Sequence, residues 1–512
     1  MPSTGFSSIL VRQWRVHAAT CHPCLPYFYP HGAERSWSSK RCSQPAALLA
    51  FHWSPMSSVR PTPAPPESPL KVIADATCTF CGCTCDDIDL TVAGDHIVSA
   101  RHACAMGEAW FLSHAVDSGP SCRVEGQPAT IETGLERAAQ ILTSARYPLI
   151  FGLHDTTCEA QRAATAVADW IGGTIDTPTS SEHGPTGVSF QGVGEVTSSL
   201  GEVANRSDLV LFWGTNPAVS LPRHFSRYSL EPKGMFVPRG RADRTCVVVD
   251  VAKTETAEHA DLFLQIKPGS DFEALWVLRA LALGVELEAA RVAEDTGVTL
   301  AEWQNLIERM KQARFGVMFY GRGLSLTRGR YLNTEALLAL VRDLNSYTRF
   351  VARSMRGRGN AGGADNVLAW TTGFPFGVNL SRGYPRFNPG EFTASEILAR
   401  GEADAALIVG SRSLENLSHA ARRHLATIPT VVVDPAGPTL ESATVAFTTA
   451  TCGIHTAGTV YRMDDVPLPL RPSLTSPHPS DVEILTRLER QVLAIQHATH
   501  PPKTSTASER LS

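Results

Sequence analysis

The sequence has no long hydrophobic run, little charge and no strong excess of either sign. Within its 512 residues, no stretch approaches the roughly 18 uninterrupted apolar residues that span a membrane. Only 19% of the residues are charged and the formal net charge is −4, which leaves no basic footprint for nucleic acid. The sequence therefore predicts neither a membrane nor a nucleic-acid partner. We expect a cytoplasmic protein that works on small molecules or within an assembly of several chains.

Common nucleotide-binding fingerprints and array-type repeats are also missing. The sequence has no P-loop, and no G-x-G-x-x-G follows a predicted strand. With 43% hydrophobic residues, the composition is that of an ordinary soluble globular protein. The length exceeds the size at which one core stops growing, so we expect two to four domains.

The first 67 residues differ in composition from the rest of the chain. They are rich in proline, poor in acidic residues and show no helical or strand periodicity. Two interpretations are open: a targeting segment, or upstream sequence translated from a misassigned start, with Met56 as the true one. The predicted organisation is an extension at 1–67, a small β-rich cluster domain at 68–125, an α/β domain at 126–285, a second α/β region at 286–470, and a linker, helix and tail at 471–512.

Short apolar runs alternate with helical patterns from about residue 131 onward. Examples of such runs are "YPLIFGL", "DLVLFWGTNP", "TCVVVDVAKT", "RFGVMFYGRG", "ADAALIVGSRS" and "IPTVVVDPAG". Strands that alternate with helices indicate parallel, doubly wound sheets. The fold class is therefore predicted to be α/β. Before this region, "DIDLTV" and "HIVSAR" flank the turn "AGD" and predict a hairpin that brings Cys104 back towards Cys78.

Three loops follow predicted strands and carry small or polar residues. They are "WGTNP" (213–217), "DVAKTET" (250–256) and "YGRGLS" (320–325). Ligands of open α/β sheets lie beyond the carboxyl ends of the strands, so these loops predict a nucleotide-like pocket along one rim. The alternative for each loop is an ordinary turn between a strand and a helix.

The cysteines are concentrated in one segment. Cys78, Cys81, Cys85 and Cys104 give C-x2-C-x3-C followed by a distant fourth cysteine, a spacing that suits one [4Fe–4S] cluster. Zinc sites more often show two separated C-x2-C pairs, and the second pair is missing here. Zinc and an emptied relic remain the alternatives, and Cys83 is interpreted as a loop-packing residue.

Several segments together resemble the B subunit of formylmethanofuran dehydrogenase, a member of the molybdopterin oxidoreductase superfamily. They are the cysteine segment, "EVANRSDLVLFWGTNPAVSLPRHFSRYS", "DVAKTETAEHADLFLQIKPGSDFEAL", "MRGRGNAGGADNVLAWTTGFPFGVNLSRGYPRFNPGEF" and "GIHTAGTVYRMDDVPLPL", spread from about 78 to 470. The resemblance implies one [4Fe–4S] cluster and a cleft for molybdopterin guanine dinucleotides carrying tungsten or molybdenum. Gly214, Asn216, Asp250 and Thr254 would face the dinucleotides.

The sequence departs from the family at residues expected in the pocket. Where the family has a metal-ligating cysteine before His-Gly-Pro, "SSEHGP" places Glu182 before His183. Arg358 in "MRGRGN" and His455 in "GIH" stand where the family has a histidine and a glutamate. A hard carboxylate replaces a soft thiolate, so redox chemistry at a metal is not expected. Structural alternatives are a solvated loop position for Glu182 and a core position for His183.

The departures favour resemblance to a sibling, the B subunit of the bacterial formyltransferase/hydrolase complex. That resemblance implies a redox-inactive scaffold in tetrahydromethanopterin- and methanofuran-linked conversion of formaldehyde to formate. The implied partners are the amidohydrolase-like A subunit, the C subunit and the formyltransferase of the complex. Two alternatives remain: an active tungsten or molybdenum dehydrogenase chain, and an unrelated iron–sulfur module.

Overall fold

The computed structural model describes residues 69–115, 119–435, 440 and 442–499. The chain divides into two units, Met1–Pro63 and Ala64–Ser512, and only the second contains described residues. The extension expected at 1–67 and the tail beyond residue 499 therefore lie outside the described residues. Over the ranges that are described, no helix combines the length and apolarity needed to cross a membrane.

A three-stranded antiparallel sheet begins the described chain. Its strands, in order, are Leu70–Ala76, Ile88–Ala93 and His96–Arg101. Every second residue of the middle strand is buried, as expected for a sheet with one face on the core. The last two strands match the hairpin expected from the sequence. Gly94 lies in its turn at a φ of +60°, a conformation that glycine adopts without strain.

The largest sheet has nine strands and a parallel centre. In spatial order the strands are Arg386–Phe387, Val378–Asn379, Thr174–Asp176, Pro148–Gly152, Ala405–Val409, Thr430–Asp434, Val445–Thr448, Cys122–Val124 and Gln127–Pro128. The five strands from Thr174–Asp176 to Val445–Thr448 are parallel, and the flanking strands are antiparallel. The central strands are buried throughout, which explains their continuous apolar sequences.

A five-stranded parallel sheet is formed by the middle of the chain. In spatial order its strands are Leu262–Gln265, Thr245–Asp250, Leu209–Trp213, Phe315–Tyr320 and Arg349–Ser354. All of them lie in sequence between strands of the nine-stranded sheet, so this sheet is an insertion into the larger one. A two-stranded hairpin, Gly458–Tyr461 and Pro467–Leu470, follows near the end.

Helices cover the sheets, and both faces of the nine-stranded sheet pack into cores that contain helical residues. One face of the five-stranded sheet packs on helices, and the other shares a core with the three-stranded sheet. The α-helices are Ala105–Leu112, Ile131–Ser144, Cys158–Trp170, Thr179–Glu182, Gly184–Val193, Leu200–Arg206, Pro217–Ser220, Asp271–Ala282, Ala289–Thr296, Leu300–Gln312, Arg322–Ser325, Tyr331–Leu344, Ala361–Thr372, Ala394–Ala399, His419–Leu425 and Asp481–Thr499. The mixed α/β class with parallel sheets is thus confirmed.

Candidate functional site

Cys78, Cys81, Cys83 and Cys85 lie in the tight loop between the first two strands of the three-stranded sheet. The backbone N–H of Cys78 donates a 2.8 Å hydrogen bond to the carbonyl oxygen of Cys85, which closes the loop. Cys104 comes from beyond the hairpin and precedes the helix Ala105–Leu112. Its sulfur accepts a 3.4 Å hydrogen bond from the backbone N–H at position 107. The hairpin therefore returns the chain so that a distant cysteine joins the loop.

The five cysteines surround one small cavity, which we call the cysteine cavity. Its lining is Cys78, Phe80, Cys81, Cys83, Cys85, Ile88, Ala103, Cys104, Gly107 and Arg223. A Cβ added to Gly107 would lie in van der Waals contact with two of the sulfurs, 3.4 Å from that of Cys78 and 3.7 Å from that of Cys104, so position 107 borders the space that these sulfurs face. Cysteines grouped around such a space could hold a cubane iron–sulfur cluster.

The side chains are not arranged around a single ion in this structure. Among the residues that the structure describes, no three histidine, cysteine or acidic side chains are placed to hold one ion together. A tetrahedral zinc site needs its sulfurs about 2.3 Å from one central ion. The cluster, zinc and emptied-relic interpretations of the cysteines therefore all remain predictions.

Arginines place positive charge beside the cysteine loop. Arg223 makes a two-pronged ion pair with Asp87, with distances of 2.6 and 2.7 Å, and Arg227 pairs with the same carboxylate. A hydrogen bond from the Cys83 thiol is the main cause that lowers the pKa of Cys85 to about 7 against the opposing effect of burial, and the two guanidiniums add to it. Cys85 thus favours the thiolate, the form in which cysteine binds metals, whereas burial raises the pKa of Cys78.

A second, larger space, which we call the cleft, has a volume of about 650 Å³. It is lined by Phe80, Cys81, Met106, His154, Asp155, Pro178, Glu182, Gly214, Thr215, Asn216, Val219, Ser220, Leu221, Gly321, Arg322, Gly323, Met355, Arg356, Gly357, Arg358, Arg412, Ser413, Glu415 and Asn416. Most of these residues follow the carboxyl ends of strands from both parallel sheets, where ligands of open α/β sheets bind. Because Cys81 lines both spaces, the cysteine loop forms part of the cleft wall.

Two glycine-containing loops close one side of the cleft by packing directly on each other. Gly214 has a φ of +55°, and a Cβ there would lie 2.7 Å from the backbone nitrogen of Leu324. The Gly323 N–H donates a 3.0 Å hydrogen bond to the Gly214 carbonyl oxygen, and a Cβ on Gly323 would lie 2.6 Å from that oxygen. The loops "WGTNP" and "YGRGLS" therefore meet at the rim because neither carries a side chain at the contact.

Charged side chains of both signs line the cleft. They are Arg322, Arg356, Arg358, Arg412, Asp155, Glu182 and Glu415. Guanidinium groups bind phosphate and carboxylate oxygens well, so the cleft suits an anionic ligand. Sequence reasoning identified only Arg358 among the arginines. A signal for two others was present, because Arg322 and Arg356 each stand two residues after the end of a strand.

Glu182 ends the short helix Thr179–Glu182 and lies on the cleft wall, half-buried. Burial raises the pKa of this carboxyl group, and the Arg322 and Arg356 guanidiniums oppose the rise. Its Oε2 would lie 3.7 Å from a Cβ added at Gly357. The side chain is therefore part of the cleft rather than a solvated loop position.

His183 and Arg358 occupy different environments from each other. His183 is 1% exposed and borders a separate cavity of about 200 Å³ behind the cleft wall. Burial lowers the pKa of its ring to about 3, so the imidazole is neutral. Arg358 is exposed and forms a 3.2 Å ion pair with Glu415 across the cleft mouth. His455, the third departure from the family pattern, is not among the cleft residues.

The expected dinucleotide contacts are brought only partly together. Asn216 lines the cleft, and its side chain bonds to Glu255 at 2.7 Å and to Thr256 at 2.8 Å, which ties "WGTNP" to "DVAKTET". Asp250 and Thr254 belong to the tied loop but are not among the residues that line the cleft. Their proposed contacts with a ligand remain predictions.

The architecture is shared with two solved structures. Acetylene hydratase from Pelobacter acetylenicus aligns with a TM-score of 0.57 at 12% identity, over 82% of this chain and 70% of that chain, a likeness of fold alone. A chain of the formyltransferase/hydrolase complex from Methylorubrum extorquens, solved with methylofuran, aligns with a TM-score of 0.60 at 25% identity, over 73% of this chain and 99% of that chain. The fold and the cleft thus place the chain among α/β proteins that share the architecture of these two structures.

Sequence relatives identify the family, although no family model matches the chain. The B subunit of the tungsten-containing formylmethanofuran dehydrogenase 2 from Methanocaldococcus jannaschii is 41% identical over 433 residues, 83% of this chain and 99% of that protein. The B subunit of the formyltransferase/hydrolase complex from Methylorubrum extorquens is 28% identical over 293 residues, 56% of this chain and 74% of that protein. The chain belongs to the family of formylmethanofuran dehydrogenase B subunits, which confirms the resemblance found in the sequence.

Proposed function

We propose that this chain is the B subunit of a methanofuran-linked one-carbon complex of the formyltransferase/hydrolase type, and that it is a redox-inactive scaffold. In such a complex, a formyl group derived from formaldehyde passes from tetrahydromethanopterin to methanofuran and is released as formate by other subunits. The names of the relatives support the methanofuran link. The observation that carries the redox-inactive role is the carboxylate of Glu182 on the cleft wall.

The donor set at Glu182 does not suit tungsten or molybdenum. Soft thiolates favour these metals, whereas a carboxylate is a hard ligand. Cys81 is the only cysteine among the described residues that line the cleft, and it also belongs to the cysteine cavity. The arginine- and glycine-lined wall still suits an anionic group such as a pterin dinucleotide. The scaffold role therefore involves no chemical step through a metal at this position.

The cysteine cavity is proposed to serve stability. Cys78, Cys81, Cys85 and Cys104 would hold a [4Fe–4S] cluster, and metal binding contributes folding free energy where the site forms only in the folded chain. Cys83 would stay outside the ligand set. This role would account for the presence of the four cysteines in a redox-inactive protein.

The partners would be the catalytic subunits of the complex: the amidohydrolase-like A subunit, the C subunit and the formyltransferase. The complex is proposed to be cytoplasmic. In this arrangement the chain binds the catalytic subunits as a scaffold, and the formyl transfer and hydrolysis take place on those partners.

A working tungsten or molybdenum dehydrogenase chain is the second candidate. It is favoured by the 41% identity with a tungsten-containing relative across 99% of that relative. It is also favoured by the paired glycine loops that form one wall of the cleft. In this alternative Glu182 would be an unusual ligand or would border an open metal position.

Elemental analysis of the natively purified complex, prepared without oxygen from cells supplied with tungstate and molybdate, separates the two candidates. The scaffold role predicts less than about a tenth of a tungsten or molybdenum atom per chain, and no viologen reduction by formate. Near-stoichiometric metal would overturn the scaffold role and establish the dehydrogenase candidate. Glu182→Cys is the matched variant, because restoring the soft ligand is expected to raise metal retention severalfold.

A further inference from the structure

Arg223 reaches the cysteine cavity from a distant part of the chain. It lies between the helix Pro217–Ser220 and the π-helical turn Phe225–Ser229, which follow the strand Leu209–Trp213, yet its side chain lines the same cavity as the five cysteines. The side chain is 19% exposed, so most of the guanidinium is removed from solvent. No local sequence pattern connects it to the cysteine segment.

Among the described residues that line the cysteine cavity, Arg223 is the only charged one. An iron–sulfur cluster with four cysteine thiolates carries net negative charge, and its stability and potential depend on nearby charge and on hydrogen bonds to sulfur. A guanidinium beside such a cluster offsets that charge in a site where water screens little. The other cavity walls, apart from the cysteines, are apolar side chains and backbone. Backbone N–H groups can donate to sulfur, as that of Gly107 does to Cys104, but they carry no net charge.

The guanidinium is held in a fixed orientation. Both of its terminal nitrogens bond to Asp87, at 2.6 and 2.7 Å, and Asp87 stands two residues after Cys85. Asp87 itself is shared with Arg227. A two-pronged pair of this kind fixes both position and plane, which a single contact would not. The same contact ties the cysteine loop to the segment that follows the strand Leu209–Trp213.

We propose that Arg223 is a positioning residue for the cluster: it compensates the charge of the cysteine-bound cluster and is oriented for this by Asp87. The inference deepens the proposed function, on which it rests only for the presence of the cluster. It does not depend on whether tungsten or molybdenum occupies the cleft.

The test uses the full chain, reconstituted with iron and sulfide under anaerobic conditions. The measurements are iron per chain, the rate at which a chelator bleaches the visible absorption, and the midpoint potential of the cluster. Arg223→Gln is expected to speed bleaching about tenfold and to move the potential to more negative values. Arg223→Lys keeps the charge without the fork and is expected to stay within about threefold of the wild-type rate.

Arg279→Gln is the matched control. Arg279 is also part-buried and paired, at 2.9 Å with Asp343, but it lies on the helix Asp271–Ala282 away from the cysteines. It should leave bleaching and potential unchanged. In the Arg223→Gln chain, a potential that moves no more than that of the control would overturn the proposal. Were that chain not to fold, the lysine variant alone would decide, and bleaching more than about threefold faster than wild type would overturn the proposal.

Equal bleaching rates in wild type and Arg223→Gln would also overturn it, as would a lysine variant that bleaches as fast as the glutamine variant. A wild-type chain that takes up no iron would overturn the inference at its first step. That last result would leave the metal analysis of the cleft unaffected, so the two proposals fail separately.

Discussion

Gly82 provides a sharp test of how the cysteine loop is joined to the cleft. Its N–H donates a 2.6 Å hydrogen bond to the Gly357 carbonyl oxygen, and its own carbonyl oxygen accepts a 3.2 Å bond from the Met463 N–H. A Cβ at this position would overlap the carbonyl oxygen of Arg356 and lie 3.0 Å from Cε of Met463. We therefore expect Gly82→Ala to push the loop off the cleft wall.

The size of the effect follows from these contacts. Each backbone hydrogen bond contributes about 1 kcal/mol, and the forced displacement of packed backbone costs about 1–3 kcal/mol. The lower entropy of alanine in the unfolded chain returns about 0.4–1 kcal/mol. The net expectation is a loss of about 2–4 kcal/mol in the free energy of unfolding, together with reduced iron uptake.

Urea unfolding followed by circular dichroism measures the stability, and iron per chain after reconstitution measures the site. Gly192→Ala is the control, because no heavy atom lies within 4 Å of a Cβ added there. It should be neutral or slightly stabilising, since alanine is favoured over glycine in a helix by about 0.5–1 kcal/mol. A Gly82→Ala chain within 1 kcal/mol of wild type and with full iron would refute the reasoning.

Three further variants test other contacts. Gly323→Ala places a methyl group 2.6 Å from the Gly214 carbonyl oxygen, so we expect a loss of about 1–3 kcal/mol, measured as a lower midpoint of thermal unfolding. The pKa of buried His183 is about 3, below its value in the unfolded chain. Its contribution to the free energy of unfolding is therefore complete above pH 6.5 and is lost on acidification. When the pH falls from 6.5 to 5, the free energy of unfolding measured with urea should therefore fall by about 2 kcal/mol less in His183→Gln than in wild type. Equal falls in the two proteins would contradict this. Asn360 is 1% exposed and accepts a 2.7 Å hydrogen bond from the Tyr461 N–H, so Asn360→Ala should cost about 2–4 kcal/mol, and a change under 1 kcal/mol in urea unfolding would contradict that role.

The strands were predictable from sequence, but their pairing was not. Runs such as Leu209–Trp213 and Thr430–Asp434 are apolar along their whole length because both faces of the sheet are covered. Periodicity reports that a segment is a strand and says nothing of its neighbours. The pairing of Leu149 with Ala406, and hence the insertion of one sheet into another, depends on tertiary packing alone.

Part of the candidate site was likewise predictable from the sequence and part was not. The cysteine spacing and the loops after the strands were visible, because a metal or a phosphate demands particular residue types close together. Arg223 was missed because its partner Asp87 is 136 residues away. Gly82 looked like any loop glycine, since the carbonyl group that excludes a side chain there belongs to Arg356.

The insertion of the five-stranded sheet has a consequence for synthesis on the ribosome. Every strand of that sheet has been synthesised by residue 354, whereas Pro148–Gly152 must wait for Ala405–Val409, its parallel neighbour. A hydrogen bond from the backbone N–H of Arg146 to Asp404 spans 258 residues of sequence. Contacts between residues so distant in sequence form slowly, and waiting strands expose edges that pair with other chains.

We therefore expect the inserted sheet to fold first and the enclosing sheet last. During this interval Pro148–Gly152, which is buried in the finished protein, has only one of its two neighbours. Chains stalled between residues 354 and 405 should be more prone to aggregate and to bind chaperones than chains released at full length, which sedimentation of ribosome-stalled chains would measure. Because one sheet is nested inside the other, the solubility of the segment that contains Pro148–Gly152 depends on the synthesis of Ala405–Val409.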